Sequence, residues 1–328
     1  MKKVFMFNIR KYLSTIFINL VIKDKSCSIE AYSVKNEKII KIHQRTFIEE
    51  DKNKLLKYIK TLIDNHYFTY VSLLFTSIGQ GMVPTINKTD LQKFGVDSSA
   101  VNLKIFDNSF LYAAKTELIN ADIVFDELQV DLIYSPFSIL FKLIQDKKSD
   151  GFVFDGISLF VLKYGEFITL MIYDGKKFKF GSYFELKINK DNEEDHQSLE
   201  LEEEIELDSN NDTLEELDFD EFDNVKVDDN FDLGADLNSD LNENLQSFSL
   251  DMQIFEYINS AIKEFYNNNI YDSDFINNII IFEHEKSSKA MHSYIESELL
   301  IKPIVYTIDI FKEMLKLSSN DLGAKIDI

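Results

Sequence analysis

The sequence predicts an α/β protein built from two halves of one plan, and three observations carry that prediction. Strand-length runs rich in Val, Ile and Phe come in two series of hairpins, each followed by a stretch with helical spacing and a further buried strand. A single block, residues 191–250, holds 23 Asp/Glu and one Lys (Lys226), a balance of −22 in a chain of 57 acids and 35 bases. The remaining residues, about 270 of them, are electrically balanced and numerous enough for one large domain or two medium ones.

Charge of that density opposes collapse, because burying the few apolar residues of the block would crowd its carboxylates together. Residues 191–250 therefore read as a disordered acidic insertion between 1–190 and 251–328. The single Cys27 excludes an internal disulfide and suits a reducing compartment, which predicts a cytoplasmic location. The apolar run Leu13–Ile22 is too short to span a bilayer and ends in Lys23-Asp24-Lys25, so contact with the inner membrane is expected only through a partner. His43, His66, His196, His284 and His292 show no ligand spacing, and no metal is predicted. A neutral folded part beside an acidic block argues against nucleic acid as a partner.

The elements follow in order. Ile16–Ile22, Cys27–Val34 and Ile39–Phe47 read as three strands with turns at Asp24-Lys25 and Lys35-Asn36-Glu37. Leu55, Leu56, Tyr58, Ile59, Leu62 and Ile63 recur at helical spacing between Glu50 and His66. Tyr70–Thr76 is a continuous apolar run, as expected of a strand covered on both faces, and Gly79-Gln80-Gly81 reads as a loop. Residues 1–84 are thus the core of a first lobe. Residues 85–130 read as a small inserted subdomain, with a helix from Thr89 to Phe94 capped by Thr89, a strand pair Val101–Phe106 and Phe110–Lys115, and Ala121–Leu128 unassigned.

Residues 131–190 supply the hairpin sheet of a second lobe. Leu128–Ile133 reads as a strand leading into it, and Pro136 opens a helix with Ile139, Leu140, Leu143 and Ile144 on one face. Phe152–Phe154, Ile157–Tyr164, Phe167–Tyr173 and Lys177–Ile188 read as strands, with turns at Tyr164-Gly165-Glu166 and Asp174-Gly175. Residues 251–328 complete the lobe. They read as a helix Met252–Asn268, a strand Ile276–Phe282, a helix Lys286–Leu300 (Met291, Tyr294, Ile295 and Leu299 inward), a strand Lys302–Tyr306 and a helix Ile308–Leu317.

Two such halves describe the duplicated, two-lobed actin-like (ribonuclease H-like) fold. The segment Phe160–Phe184 (FVLKYGEFITLMIYDGKKFKFGSYF) resembles the second phosphate hairpin of PilM and of the GspL cytoplasmic domain, actin-like components of type IV pilus, type II secretion and DNA-uptake machines. The resemblance implies two hairpin loops of the form Asp-x-Gly-x-x-x-Thr, in which Asp holds magnesium through water, Gly admits phosphate to the backbone and Thr donates to it. Gly165 and Thr169 fall at the Gly and Thr positions, while Lys163 stands at the Asp position. In the first hairpin, Ile18–Val34, the Asp position is Lys23, the Gly position is Lys25, and Cys27 or Ser28 lies near the hydroxyl position. Glu30 stands where PilM-like sequences usually carry Lys. The adenosine turn expected after Ile279–Phe282 reads Glu283-His284-Glu285-Lys286, without glycine.

Lysines in place of both magnesium carboxylates, with no glycine in the first loop, predict an architecture without hydrolysis and without a cofactor. The resemblance implies a non-enzymatic scaffold linking an inner-membrane assembly protein to the assembly ATPase. It also implies that a groove lined by the first sheet and the inserted subdomain receives a peptide of the membrane partner. Two alternatives stay open: an active nucleotide-binding ATPase or kinase of the same fold, and a regulator acting through its acidic arm. In that arm Leu214–Val227 and Phe231–Leu237 space apolar residues among carboxylates. Phe219, Phe222 and Phe231 are the candidate anchors for a basic, partly apolar surface.

Overall fold

A computed structural model describes residues 13–23, 26–48, 51–106, 108–124, 128–152, 155–186 and 234–328. Contacts divide the chain into one unit of Met1–Lys187 with Phe248–Ile328 and a second of Ile188–Ser247. The greater part of the acidic block, with Phe219, Phe222 and Phe231, lies outside the described residues, as does Lys25. Of the second unit, the described backbone (234–247) is helical.

The first sheet contains β1 (Thr15–Lys23), β2 (Ser26–Lys35), β3 (Lys38–Ile48), β4 (Phe68–Leu74) and β8 (Leu132–Tyr134), in the order β3-β2-β1-β4-β8. The second contains β9 (Ile157–Tyr164), β10 (Phe167–Asp174), β11 (Lys177–Glu185), β12 (Ile276–Glu283) and β13 (Ile304–Thr307), in the order β11-β10-β9-β12-β13. Counted within each half, both sheets read third, second, first, fourth, fifth. In both, the first three strands form antiparallel hairpins and the last two run parallel to the first. This is the duplicated ribonuclease H-like topology expected from the sequence.

Apolar stripes decide where the helices sit. α1 (Lys52–Asp64) buries Leu55, Leu56, Ile59 and Leu62 with Ile16, Ile18, Leu20, Val71 and Leu73 on the outer face of the first sheet. On the outer face of the second sheet, Ile258 and Phe265 of α4 (Gly234–Asn267) and Met291 and Ile295 of α5 (Lys289–Leu299) cluster with Leu159, Leu170 and Ile281. Between the sheets lie α3 (Pro136–Ser149) and α6 (Ile310–Asp321), which contact β9 and β10 of one sheet and β1 and β4 of the other, respectively. Phe17 and Tyr32 of the first sheet, Phe137 and Ile144 of α3, Met314 of α6, and Phe160 and Phe282 of the second sheet share one continuous core. Ser135 caps α3 by accepting from Phe137 N, with Pro136 in the first turn as its sequence signals.

Several details differ from the sequence reading. Gly79-Gln80-Gly81 is not a loop throughout: β5 (Gln80–Val83) pairs with β7 (Ser109–Ala114), which pairs with β6 (Val101–Phe106) in a third sheet. A Cβ on Gly81 would fall 2.4 Å from the Tyr112 hydroxyl, so glycine serves close side-chain approach here. The cap before the short 3-10 turn Lys88–Phe94 is Asn87, which accepts from Thr89 N, not Thr89 itself. Lys115–Val124 forms α2, which takes in part of the segment that carries no sequence signal. The strand expected at Leu128–Ile133 is confined to Leu132–Tyr134. Of the strand expected at Phe152–Phe154, Phe152 lies outside the strands and the other two residues lie outside the described ones. The helix expected from Met252 begins at Gly234, and Leu237, Leu241, Leu245 and Phe248 supply the helical spacing that continues it. Tyr294 of α5 is exposed, whereas Met291 and Ile295 are buried as expected.

Candidate functional site

The candidate site is the region of the two equivalent hairpin turns, β1–β2 and β9–β10. In the first, Lys23 pairs with Ser26 at the strand ends. Ser28 faces Thr46 across the sheet, their hydroxyl oxygens 3.2 Å apart. Cys27 belongs to the apolar cluster under α1, where burial raises its thiol to about 12 and leaves it protonated. Glu30 is buried and doubly bound: the Tyr32 hydroxyl donates to one oxygen and Gln44 Nε2 to the other at 2.7 Å. A carboxylate so held is already satisfied.

In the second hairpin, Gly165 occupies the first position of a two-residue turn with φ +54°, a left-handed conformation that glycine adopts without steric cost. Its N–H donates to Glu285 Oε2 at 2.7 Å. Lys163 Nζ donates to Ser287 Oγ at 3.0 Å, and Ser287 N donates to Glu283 Oε2 at 3.0 Å. His284 N donates to the Lys163 carbonyl at 3.2 Å. The segment Glu283–Ser287, which includes the expected adenosine turn, is therefore laced onto the hairpin. Thr169 is buried on β10, between Leu162 and Tyr183 in register. Lys163 and Gly165 are thus brought to one place with Glu285, and Thr169 lies deeper along the strand.

Residues distant in sequence complete the site. Tyr164 is buried, its ring centroid 5.1 Å from that of His284. Burial holds its phenol above the ordinary range, and the charges of Glu285, Asp309 and Glu30 add to that. Asp309 caps α6, accepting from Phe311 N at 3.1 Å and Lys312 N at 3.3 Å. Carboxylates from β2, the β12–α5 connection and the start of α6 therefore all act on one phenol beside the second hairpin. The helix expected from Ile308 begins instead at Ile310, which makes Asp309 its cap, and the place of Asp309 beside Tyr164 depends on the fold. His284 and His292 part company. The first contacts Ile308 O and Ile310 N through Nδ1, and the second places Nε2 3.7 Å from Glu283 Oε2.

These residues do not fit a magnesium nucleotide. On the alignment that the resemblance implies, the amide that would meet phosphate is bound to a carboxylate of the same chain, and the Lys163 ammonium, donating to Ser287, would stand in place of the metal's carboxylate. Each additional negative group at about 4 Å would cost about 1–4 kcal/mol at effective dielectrics of about 80–20. The geometry supports no step through a bound nucleotide.

By sequence, residues 12–141 match the family model described as Domain of unknown function (DUF8569), and residues 159–323 match that described as Domain of unknown function (DUF8341). No curated protein matches the chain. Similar solved structures include a Bacteroides thetaiotaomicron protein described as having an actin-like ATPase fold and unknown function. It is 8% identical over 94% of this chain and 97% of that one, with a TM-score of 0.48. A PilM-PilN type IV pilus biogenesis complex is 12% identical over 96% of this chain and 95% of that one, with a TM-score of 0.49. The ethanolamine utilization protein EutJ from Carboxydothermus hydrogenoformans is 6% identical over 88% and 84%, with a TM-score of 0.36. The match over residues 159–323 takes in just over half of the chain, which accordingly belongs to the family described as Domain of unknown function (DUF8341).

Proposed function

We propose that this chain is a non-enzymatic scaffold of actin-like fold, in which a carboxylate of the protein takes the phosphate's place at the second hairpin. The observation that carries the reading is the Gly165 N–H donating to Glu285 Oε2 at 2.7 Å. The amide and the turn are retained, but the chain's own anion uses them, so they hold the hairpin against the β12–α5 connection instead of a nucleotide. The resemblance of Phe160–Phe184 to PilM and the GspL cytoplasmic domain supports the context: a pilus, type II secretion or competence assembly at the inner membrane. Among the described residues no helix is long and apolar enough to cross a membrane, which favours attachment through a membrane partner. The scaffold links that partner to the assembly ATPase, and the partner's segment occupies the groove between the first sheet and the β5-β7-β6 subdomain.

Affinity capture of the tagged full chain from detergent-solubilised membranes of its own cells tests this. Enrichment of a single-span assembly protein together with the assembly ATPase is the expected result. Enrichment of neither overturns the partner assignment.

A further inference from the structure

The free edge of β3 supports a second docking surface. β3 is the outermost strand of the first sheet and pairs only with β2 among the named strands, which leaves one row of backbone groups unpaired within the sheet. Most of its length is exposed, including Ile40 (60%), Ile42 (47%) and Ile48 (56%). It carries Lys38, Lys41 and Arg45 and no acidic residue, in a chain of net charge −22. Across the sheet, Glu30 faces Gln44 and is bound by Tyr32 and Gln44, while the acids Glu37 and Asp327 lie at the Lys38 end. His43 is pushed below its ordinary value by burial and then by Lys41 and His66, consistent with a positive field along the strand.

One end of this edge is already used. Asp327 forms a parallel bridge with Lys38, its N–H donating to the Glu37 carbonyl at 2.8 Å, while neighbouring Ile326 packs against the core between the sheets. The edge therefore accepts an extended segment in which an acidic residue alternates with isoleucine. We propose that β3, from Ile39 to Ile48, receives an extended acidic segment of a partner protein by strand addition, with apolar side chains at alternate positions meeting Ile42 and Ile48. Charge selects the occupant. Antiparallel pairing of two β3 strands would set Lys41, His43 and Arg45 among their own copies, and like charges across strands are destabilising. Lysines placed merely to block an edge would not leave three exposed isoleucines beside them. The surface is separate from the groove assigned to the membrane partner and stands whether or not that assignment holds.

The test uses the full chain and a fluorescent probe of alternating Glu and Val, about nine residues long to match a strand. Anisotropy is read at about 50 and about 500 mM salt, where screening of exposed charges differs strongly. Expected are saturable binding that weakens about tenfold at the higher salt, a further loss of about tenfold in Lys38→Glu/Lys41→Glu, and no binding of a probe N-methylated at alternate amides. No binding at low salt, or equal binding of the N-methylated probe, overturns the proposal. Sedimentation of the free chain tests a second copy as occupant: self-association abolished by Ile40→Lys would assign the edge to that copy and overturn the partner assignment.

Discussion

The two hairpin sheets share one strand order and differ in what fills them. In the first, the face turned toward α6 holds a polar pair. Asn19 donates through Nδ2 to the Phe311 carbonyl at 2.9 Å and accepts from Ser72 Oγ at 2.7 Å. The corresponding face of the second is apolar at its centre, with Phe160, Leu162, Ile280 and Phe282 all buried, and its own polar pair sits at the strand ends, where Asn278 Nδ2 donates to Ser158 Oγ at 3.1 Å. The first sheet ends in an open, basic strand, β3, and its hairpin carries a buried glutamate. The second closes its hairpin with Glu285, Ser287 and Lys163. Topology is set by the alternation and length of apolar runs, which the halves share. What each half offers a ligand is set by a few polar positions, in which they differ.

The comparison can be broken first in the apolar half. Phe160→Ala leaves a cavity in the core shared by both sheets and is expected to cost about 3–5 kcal/mol, whereas Ile42→Ala on exposed β3 stays within about 0.5 kcal/mol. Urea denaturation of the two variants checks this, and equal losses would mean that the halves do not differ as described. Next comes the polar pair. Asn19→Ala removes a buried donor from the Phe311 carbonyl and an acceptor from Ser72, and the expected loss is about 1–3 kcal/mol by the same measurement.

A third prediction concerns alkali. Burial, and then Glu264 and Tyr112, raise Tyr271 to about 12, and burial first of all also raises Tyr32, Tyr164 and Tyr183. A raised folded pKa contributes stability that is fully present below the unfolded value, about 10 for tyrosine, and is lost as pH rises toward the folded value. The Tm should hold from neutral pH to about 9.5 and fall above about 10, and a flat Tm through that window would contradict the burial of these phenols. The smallest effect belongs to Glu285→Gln. The amide oxygen can still accept from Gly165 N and the position is exposed, so the expected stability change is below about 1 kcal/mol.

Both hairpin series were legible in the sequence because each strand is a short apolar run closed by a turn signal. Asn36 and Glu37 adopt positive φ in the turn between β2 and β3, and Gly175 does so between β10 and β11. β5 was hidden by Gly81, which lets it approach Tyr112, and α2, Lys115–Val124, was hidden by the lack of an apolar stripe. The site was half legible. Lys163 and Gly165 could be read from the hairpin pattern, but their partners Glu285 and Ser287 lie about 120 residues further on. Asp309 and Glu30 act on Tyr164 only once the halves are folded together. No local periodicity encodes that convergence.

Isothermal titration of the full chain with ATP, with and without magnesium, tests the central claim most directly. The account predicts no magnesium-dependent heat for the natural chain and none for Glu285→Gln, in which Lys163, Glu30 and Asp309 are all retained. Saturable, magnesium-dependent binding of ATP to the natural chain would contradict it.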